Sequence, residues 1–256
     1  ARLSHLFASR TILRLQEKKK SAHCSVSLQS WKINNMTKIH VSVVQVNQEY
    51  IEQHFDELVE RLYPERKSRV LAFRRKEPAY VSVVAGLLLQ ELVEKQLGIR
   101  PDELVLEKNE NGKPWIKDHP EFYFNISHAG DYVVLAYGDV PLGVDIEQIR
   151  GKDNLRVAGR CFTGREYAYV SGQKEVDDSL SAERFFYLWT MKESYLKLTG
   201  DGISVPLNSF EVDPVQKTVI GTSYRYFMLR MDEYWISVCA EDGCTVEYHL
   251  DSCIRF

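Results

Sequence analysis

The stretch YVSVVAGLLL, residues 80–89, is apolar at almost every position and is bounded by Lys76, Glu77, Glu91 and Glu94. It is too short to cross a bilayer, and with Pro78 placed for a first turn and Gly98 for a stop it predicts a core helix over 78–97. Ahead of it, the pattern predicts a strand over 39–46 and helices near 48–61 and 64–74. Behind it come short strands around 103–107, 122–125 and 132–137, with ENGKP (110–114) as a turn, and then a strand over 142–147. The succession then recurs. Helical stretches fall near 155–170, a long helix runs from about Ala182 to Leu198 and stops at Gly200, and strands follow near 208–212, 224–230, 234–240 and 245–249. This order predicts an α+β fold of two pseudo-symmetric halves, residues 36–140 and 141–256, each a small antiparallel sheet packed with a long helix. A cleft between the halves is the expected place for a site.

Composition narrows the class without naming a function. The chain has 256 residues, 44% hydrophobic and 27% charged, the make-up of an ordinary globular protein with a sizeable core. Its five cysteines are odd in number and form no CxxC pair, so neither a disulfide framework nor a zinc site is expected, and a reducing cytoplasm fits. Charge is uneven: the net value is −3, yet residues 1–35 carry +6 and leave −9 for the remainder. That basic segment reads as a disordered, dispensable extension ahead of MTKIHVSVVQV at Met36, with an organellar transit peptide as the competing reading. Neither a nucleic-acid nor a membrane partner is expected.

Chemistry enters with GVDIEQI, residues 143–149. Asp145 and Glu147 are spaced i, i+2 on a strand, so both carboxylates face one small volume. Like charges in a low dielectric repel unless a proton, a cation or basic side chains neutralise them, so something positive is expected there. In FFYLWTMKESYLKLTGDGI (185–203), Trp189, Glu193 and Lys197 share one helix face, which taken alone describes a solvated salt bridge. Joined to the strand acids, Glu193 makes a third carboxylate, a set that suits a hard cation such as Mg²⁺.

FNISHAGDY (124–132) places Ser127 and His128 at a strand end, where they read either as contacts to a phosphate or adenine or as satisfied structural side chains. YPERKSRVLAFRRKEP (63–78) is strongly basic. Such a run is often a solvated helix face, but Arg66 and Arg69 stand at i, i+3 and, with Lys113, could grip phosphate. An acidic metal site beside a basic anion grip suggests a polyphosphate ester as substrate, although neither GxxxxGK[ST] nor GxGxxG is present.

GVDIE followed by WTMKESYLK, and preceded by NGKP and FNISHAGD, resembles the signature series of the Sfp-type 4′-phosphopantetheinyl transferases from about Met36 to about residue 240. The resemblance implies transfer of phosphopantetheine from coenzyme A to a serine of an apo acyl or peptidyl carrier protein, with release of adenosine 3′,5′-bisphosphate. It implies Asp145, Glu147 and Glu193 as Mg²⁺ ligands, Lys197 against the reacting phosphate, and Glu166 of CFTGREY as general base. It further implies Arg66, Arg69, Ser82, Lys113, Ser127 and His128 as coenzyme A contacts, with Val81 standing where an arginine is common. A monomer is expected, because one chain supplies both acidic segments. The basic and apolar positions of 149–162, Arg150, Lys152, Arg156 and Arg160 with Leu155, Val157 and Phe162, are the expected carrier surface. A Mg²⁺-dependent phosphohydrolase and an inactive coenzyme A or carrier binder are the competing readings.

Overall fold

The computed structural model describes residues 37–151, 154–172 and 178–251. The expectations for residues 1–35 and for Lys152 lie outside the described residues. The first half comprises β1 (Lys38–Gln45), α1 (Gln48–Gln53), α2 (Phe55–Glu60), α3 (Pro64–Leu71), α4 (Lys76–Leu97), β2 (Leu106–Lys108), β3 (Pro114–Ile116), β4 (Tyr123–Ala129) and β5 (Tyr132–Gly138). The second comprises β6 (Leu142–Gln148), α5 (Asn154–Cys161), α6 (Gly164–Ser171), α7 (Asp178–Thr199), β7 (Val212–Asp213), β8 (Thr218–Val219), β9 (Tyr224–Met231), β10 (Tyr234–Glu241) and β11 (Thr245–Asp251). No helix among the described residues is long and apolar enough to cross a membrane.

Three local expectations are corrected. The helix expected over 48–61 is broken at His54, whose backbone (φ −115°, ψ 16°) leaves the helical region while its N–H still bonds the Tyr50 carbonyl. The break turns Ile51, Leu58 and Val59 all into the core. The strand expected over 208–212 gives way to a 3₁₀ turn at Leu207–Ser209 after Pro206, leaving only Val212 and Asp213 in a ladder. ENGKP does turn the chain, but it closes a hairpin with β3, a strand the apolar pattern did not predict.

The sheets run β11-β1-β5-β4 and β6-β10-β9-β8-β7. Helix α4 covers one face of the first sheet through Val83, Val84 and Leu87 against Val44, Val133 and Leu135. The opposite face, with Ile39, Val41, Val43, Val134 and Ala136, packs on Val144, Ile146, Ile236 and Val238 of the second sheet. Helix α7 covers the far side of that second sheet, with Leu188 and Met191 against Tyr226 and Cys239. Each half thus contributes a sheet and a 22-residue helix. One strand departs from a simple division at residue 140: β11 pairs in parallel with β1 and belongs to the first half's sheet.

The sheets meet where β4 runs beside β6. Side chains substitute for a backbone ladder there: Val144 donates its N–H to Asn125 Oδ1 (2.9 Å), and Ile146 donates to Ser127 Oγ (3.4 Å). Because Val144 and Ile146 are committed to the inter-sheet core, the alternation of β6 turns Gly143, Asp145 and Glu147 toward α7.

Candidate active site

Small residues bring α7 onto β6. A Cβ at Gly143 would stand 2.1 Å from the Ser194 carbonyl oxygen and 2.4 Å from the Leu198 amide nitrogen, so only glycine admits this approach. Ser194 and Ser237 of β10 complete the contact, their hydroxyls 2.8 Å apart in the core. The result sets Lys197 against β6, its Nζ 2.6 Å from Asp145 Oδ1 and 2.7 Å from Ser127 Oγ. Ser127 donates its hydroxyl to the same carboxylate oxygen at 2.8 Å. Ser127 is buried in this triangle, where it positions Asp145 and Lys197 from the wall of the site.

Asp145 is 4% exposed, and its second oxygen, Oδ2, is buried with no hydrogen-bond partner. An unpaired, desolvated carboxylate oxygen carries a penalty of about 1–3 kcal/mol or more, which a cation would relieve. Burial pushes the Asp145 carboxyl up while Lys197, then Ser127, pull it down. Burial and then the charge on Asp145 push Glu147 up to about 7, and the same two causes raise Glu193. The three acids therefore feel one another, although their oxygens do not all lie within 4.8 Å of one another. The donor set is all oxygen, which fits a hard divalent ion. A cavity of about 260 Å³ adjoins Glu193 and Lys197 and is walled by Asn111, Pro114, Asn125 and Leu196.

The basic run divides by partnership. Lys67, Arg75 and Lys76 are ion-paired with Glu60, Glu77 and Glu52 on the surface. Arg66 and Arg69 have no acidic partner among the described residues. Arg66 donates to the Tyr63 hydroxyl (3.0 Å) and to Ser82 Oγ (3.4 Å), and its stem lies over Gly86 of α4, where a Cβ would come within 2.6 Å of it. Ser82, expected to touch coenzyme A, is instead buried beneath Arg66 and fixes that guanidinium. His128 is exposed at the end of β4; desolvation by the surrounding protein and the charges of Lys197, Arg69 and Arg66 push its imidazole down, and Asp145 pulls it up. The charges of Lys197, Arg69 and Arg66 are thus all felt at His128.

Lys113 departs from its expected role as a phosphate grip. Its ammonium donates to the carbonyls of Leu198 (2.7 Å) and Leu142 (3.4 Å), and burial lowers it to about 8. Asn109 adds a bond from Nδ2 to the Gly200 carbonyl (3.0 Å), with Gly200 at φ 77° closing α7. The β2–β3 turn of one half is therefore a clamp on the C-terminus of α7.

Glu166 also departs from expectation. It is 1% exposed and fully engaged: Oε1 meets Lys192 Nζ (2.8 Å) and the Val212 N–H (2.8 Å), while Oε2 accepts from the Thr163 N–H (2.8 Å). With Thr163 it forms the capping box that opens α6. A carboxylate without a free oxygen edge or solvent access cannot take a proton from an incoming hydroxyl. Its partner Lys192, the lysine of WTMKES, was not singled out from sequence. It is wholly buried and also donates to the carbonyls of Leu207 and Phe210 (2.7 Å each), tying the segment after α7 back to the helix that carries Glu193. Asn125 was likewise missed, although it stands in FNISHAGD two residues before Ser127.

Comparison with known proteins identifies the family. Residues 47–139 match the family model described as 4′-phosphopantetheinyl transferase, N-terminal, and residues 141–239 match that of the 4′-phosphopantetheinyl transferase superfamily. The second match begins just before β6 and spans the three acids. The chain is 34% identical to 4′-phosphopantetheinyl transferase Sfp of Bacillus subtilis (strain 168), over 58% of this chain and 65% of that protein. It is 33% identical to 4′-phosphopantetheinyl transferase gsp of Aneurinibacillus migulanus, over 71% of this chain and 75% of that protein. It is 32% identical to the L-aminoadipate-semialdehyde dehydrogenase-phosphopantetheinyl transferase of Xenopus laevis, over 66% of this chain and 60% of that protein. The chain thus spans just under two thirds of the length of Sfp, and of psf-1 of Bacillus pumilus, which it also matches over 65%.

Proposed function

We propose that this chain, which belongs to the 4′-phosphopantetheinyl transferase superfamily, transfers 4′-phosphopantetheine from coenzyme A to a serine of an apo acyl or peptidyl carrier protein. The observation that carries the reading is the buried Asp145 carboxylate, with one oxygen on Lys197 and Ser127 and the other without a partner, beside Glu147 and Glu193. Asp145, Glu147 and Glu193 would hold Mg²⁺, which supplies positive charge for the diphosphate of coenzyme A and for the charge that develops during transfer.

The chain's own residues then bind and orient. Arg66 and Arg69, free of acidic partners among the described residues, grip the phosphates of coenzyme A, with Arg66 preset by Tyr63 and Ser82. Lys197, 29% exposed at its side chain, neutralises charge at the reacting phosphate. The carrier serine oxygen forms a bond to the phosphorus that bears pantetheine, the bond to the adenosine 5′-phosphate oxygen breaks, and adenosine 3′,5′-bisphosphate leaves. The serine proton passes to solvent, and Glu166 takes no part in its transfer. The work of the protein is alignment and charge neutralisation rather than covalent catalysis.

Carrier docking is placed on α5. Its exposed Arg156 and Arg160 have no acidic partner among the described residues, and Leu155 is 39% exposed beside them, a basic and apolar face for an acidic helical partner, whereas Phe162, expected on this surface, is buried in the core beneath it. Since β6 and α7 of one chain supply all three acids, the enzyme acts as a monomer. The test is chromatographic detection of adenosine 3′,5′-bisphosphate from coenzyme A. Release that requires both Mg²⁺ and an apo carrier supports the assignment, and release without carrier makes the protein a phosphohydrolase instead.

A further inference from the structure

A second cluster of metal-binding side chains lies on the first sheet, away from the β4, β6 and α7 seam. In the sheet order β11-β1-β5-β4, it occupies the first two strands. His40 of β1 pairs in register with Glu247 of β11, and Ser42 with His249. Along β1, Ile39, Val41 and Val43 point into the inter-sheet core, and along β11 Val246 and Tyr248 pack against that core. The strand alternation therefore places His40, Glu247 and His249 together on the other face. His40 is fixed from the β5 side by Tyr137, whose ring stacks on it at 5.1 Å between centroids and 19° between planes.

The three donor atoms form a compact triangle. His40 Nδ1 is 3.4 Å from His249 Nε2 and 3.5 Å from Glu247 Oε2, and His249 Nε2 is 4.0 Å from that same oxygen. Two of these edges match the roughly 3.4 Å separation of donors around a tetrahedral ion with bonds of about 2.1 Å, and the third is about half an ångström longer. Side-chain exposures of 30%, 42% and 44% leave the cluster open to solvent, so an ion could enter and complete its coordination with water. Two imidazoles and one carboxylate favour a first-row transition ion over Mg²⁺. Lys38, whose Nζ lies 2.5 Å from Glu247 Oε2, competes for the carboxylate.

We propose that His40, Glu247 and His249 form a binding site for a divalent transition-metal ion of the zinc class, and that the ion staples β11 to β1. The staple has a structural logic, because β11 has left the sheet of its own half and, among the described residues, is held in the ladder by β1 alone.

The test is calorimetric titration of the full chain, untagged, with Zn²⁺ in the presence of saturating Mg²⁺. The expected result is one equivalent bound, with affinity at least about 10-fold weaker in His40→Ala and in His249→Ala. Lys38→Ala should bind more tightly than the parent, and Asp145→Ala should bind as the parent does. Melting curves in EDTA establish that the variants are folded before titration. No saturable Zn²⁺ binding would overturn the proposal, as would unchanged affinity in a folded His40→Ala/His249→Ala variant or loss of the site in Asp145→Ala.

Discussion

Glu166→Gln separates a structural carboxylate from a catalytic one. The substitution keeps the shape of the side chain but leaves the wholly buried Lys192 ammonium without its counter-ion, and it turns an amide N–H₂ toward donors that now point at an acceptor. Removing one partner of a buried pair costs about 3–5 kcal/mol. For a chain of this size each kcal/mol moves the melting temperature by about 2–4 °C, so the variant should melt roughly 6–20 °C lower. Lys192→Met should also destabilise, since it strands the Leu207 and Phe210 carbonyls as well as Glu166. The double variant should recover about 1–3 kcal/mol relative to the sum of the single costs. Transfer assayed well below the lowered melting temperature should retain kcat within about threefold, whereas loss of a general base removes about 10²–10⁴. Unchanged melting with a kcat lowered by about two orders of magnitude would restore Glu166 to the chemistry.

Three further outcomes follow from the same geometry. Arg66→Ala/Arg69→Ala should raise KM for coenzyme A by about 10-fold or more with kcat nearly unchanged, and dephospho-coenzyme A should lose part of that penalty; an unaltered KM would contradict the phosphate assignment. Gly143→Ala should destabilise by about 1–3 kcal/mol and, by displacing α7 about 1 Å, cost about 10²-fold in rate; a variant with wild-type melting and rate would show that the helix yields freely. Burial and Asp145 raise the Glu147 carboxyl to about 7 in the metal-free chain, so between pH 4.5 and 7 the unfolded chain ionises first and stability falls as pH rises. Saturating Mg²⁺ should oppose that fall, and urea melts at pH 5 and pH 8 with and without Mg²⁺ test it; stability that rises over this interval without Mg²⁺ would contradict it.

Those features of the site that rest on strand alternation were legible from residues alone. Asp145 and Glu147 had to share a face because Val144 and Ile146 were apolar, and the structure turns that face onto α7. The helix spacing likewise put Glu193 and Lys197 together. What stayed illegible depends on partners distant in sequence. Glu166 looks like an ordinary exposed helix acid until Lys192 and Val212 close over it, 26 and 46 positions later. Lys113 carries a charge that suits a phosphate, yet the end of α7 captures it. The crossing of β11 to the first sheet left no trace in periodicity, because a strand pattern does not name its neighbour.

Transfer of phosphopantetheine onto a carrier serine should depend on the Asp145 site. Intact-mass spectrometry of an apo carrier incubated with the protein, coenzyme A and Mg²⁺ tests it most directly, run beside the Asp145→Asn variant and a carrier whose acceptor serine is replaced by alanine. The parent chain should add one phosphopantetheine to the intact carrier and none to the alanine carrier, and a folded Asp145→Asn variant should add it at least about 100-fold more slowly. An unmodified carrier across fatty-acid and peptidyl types, or equal modification by Asp145→Asn, would contradict it.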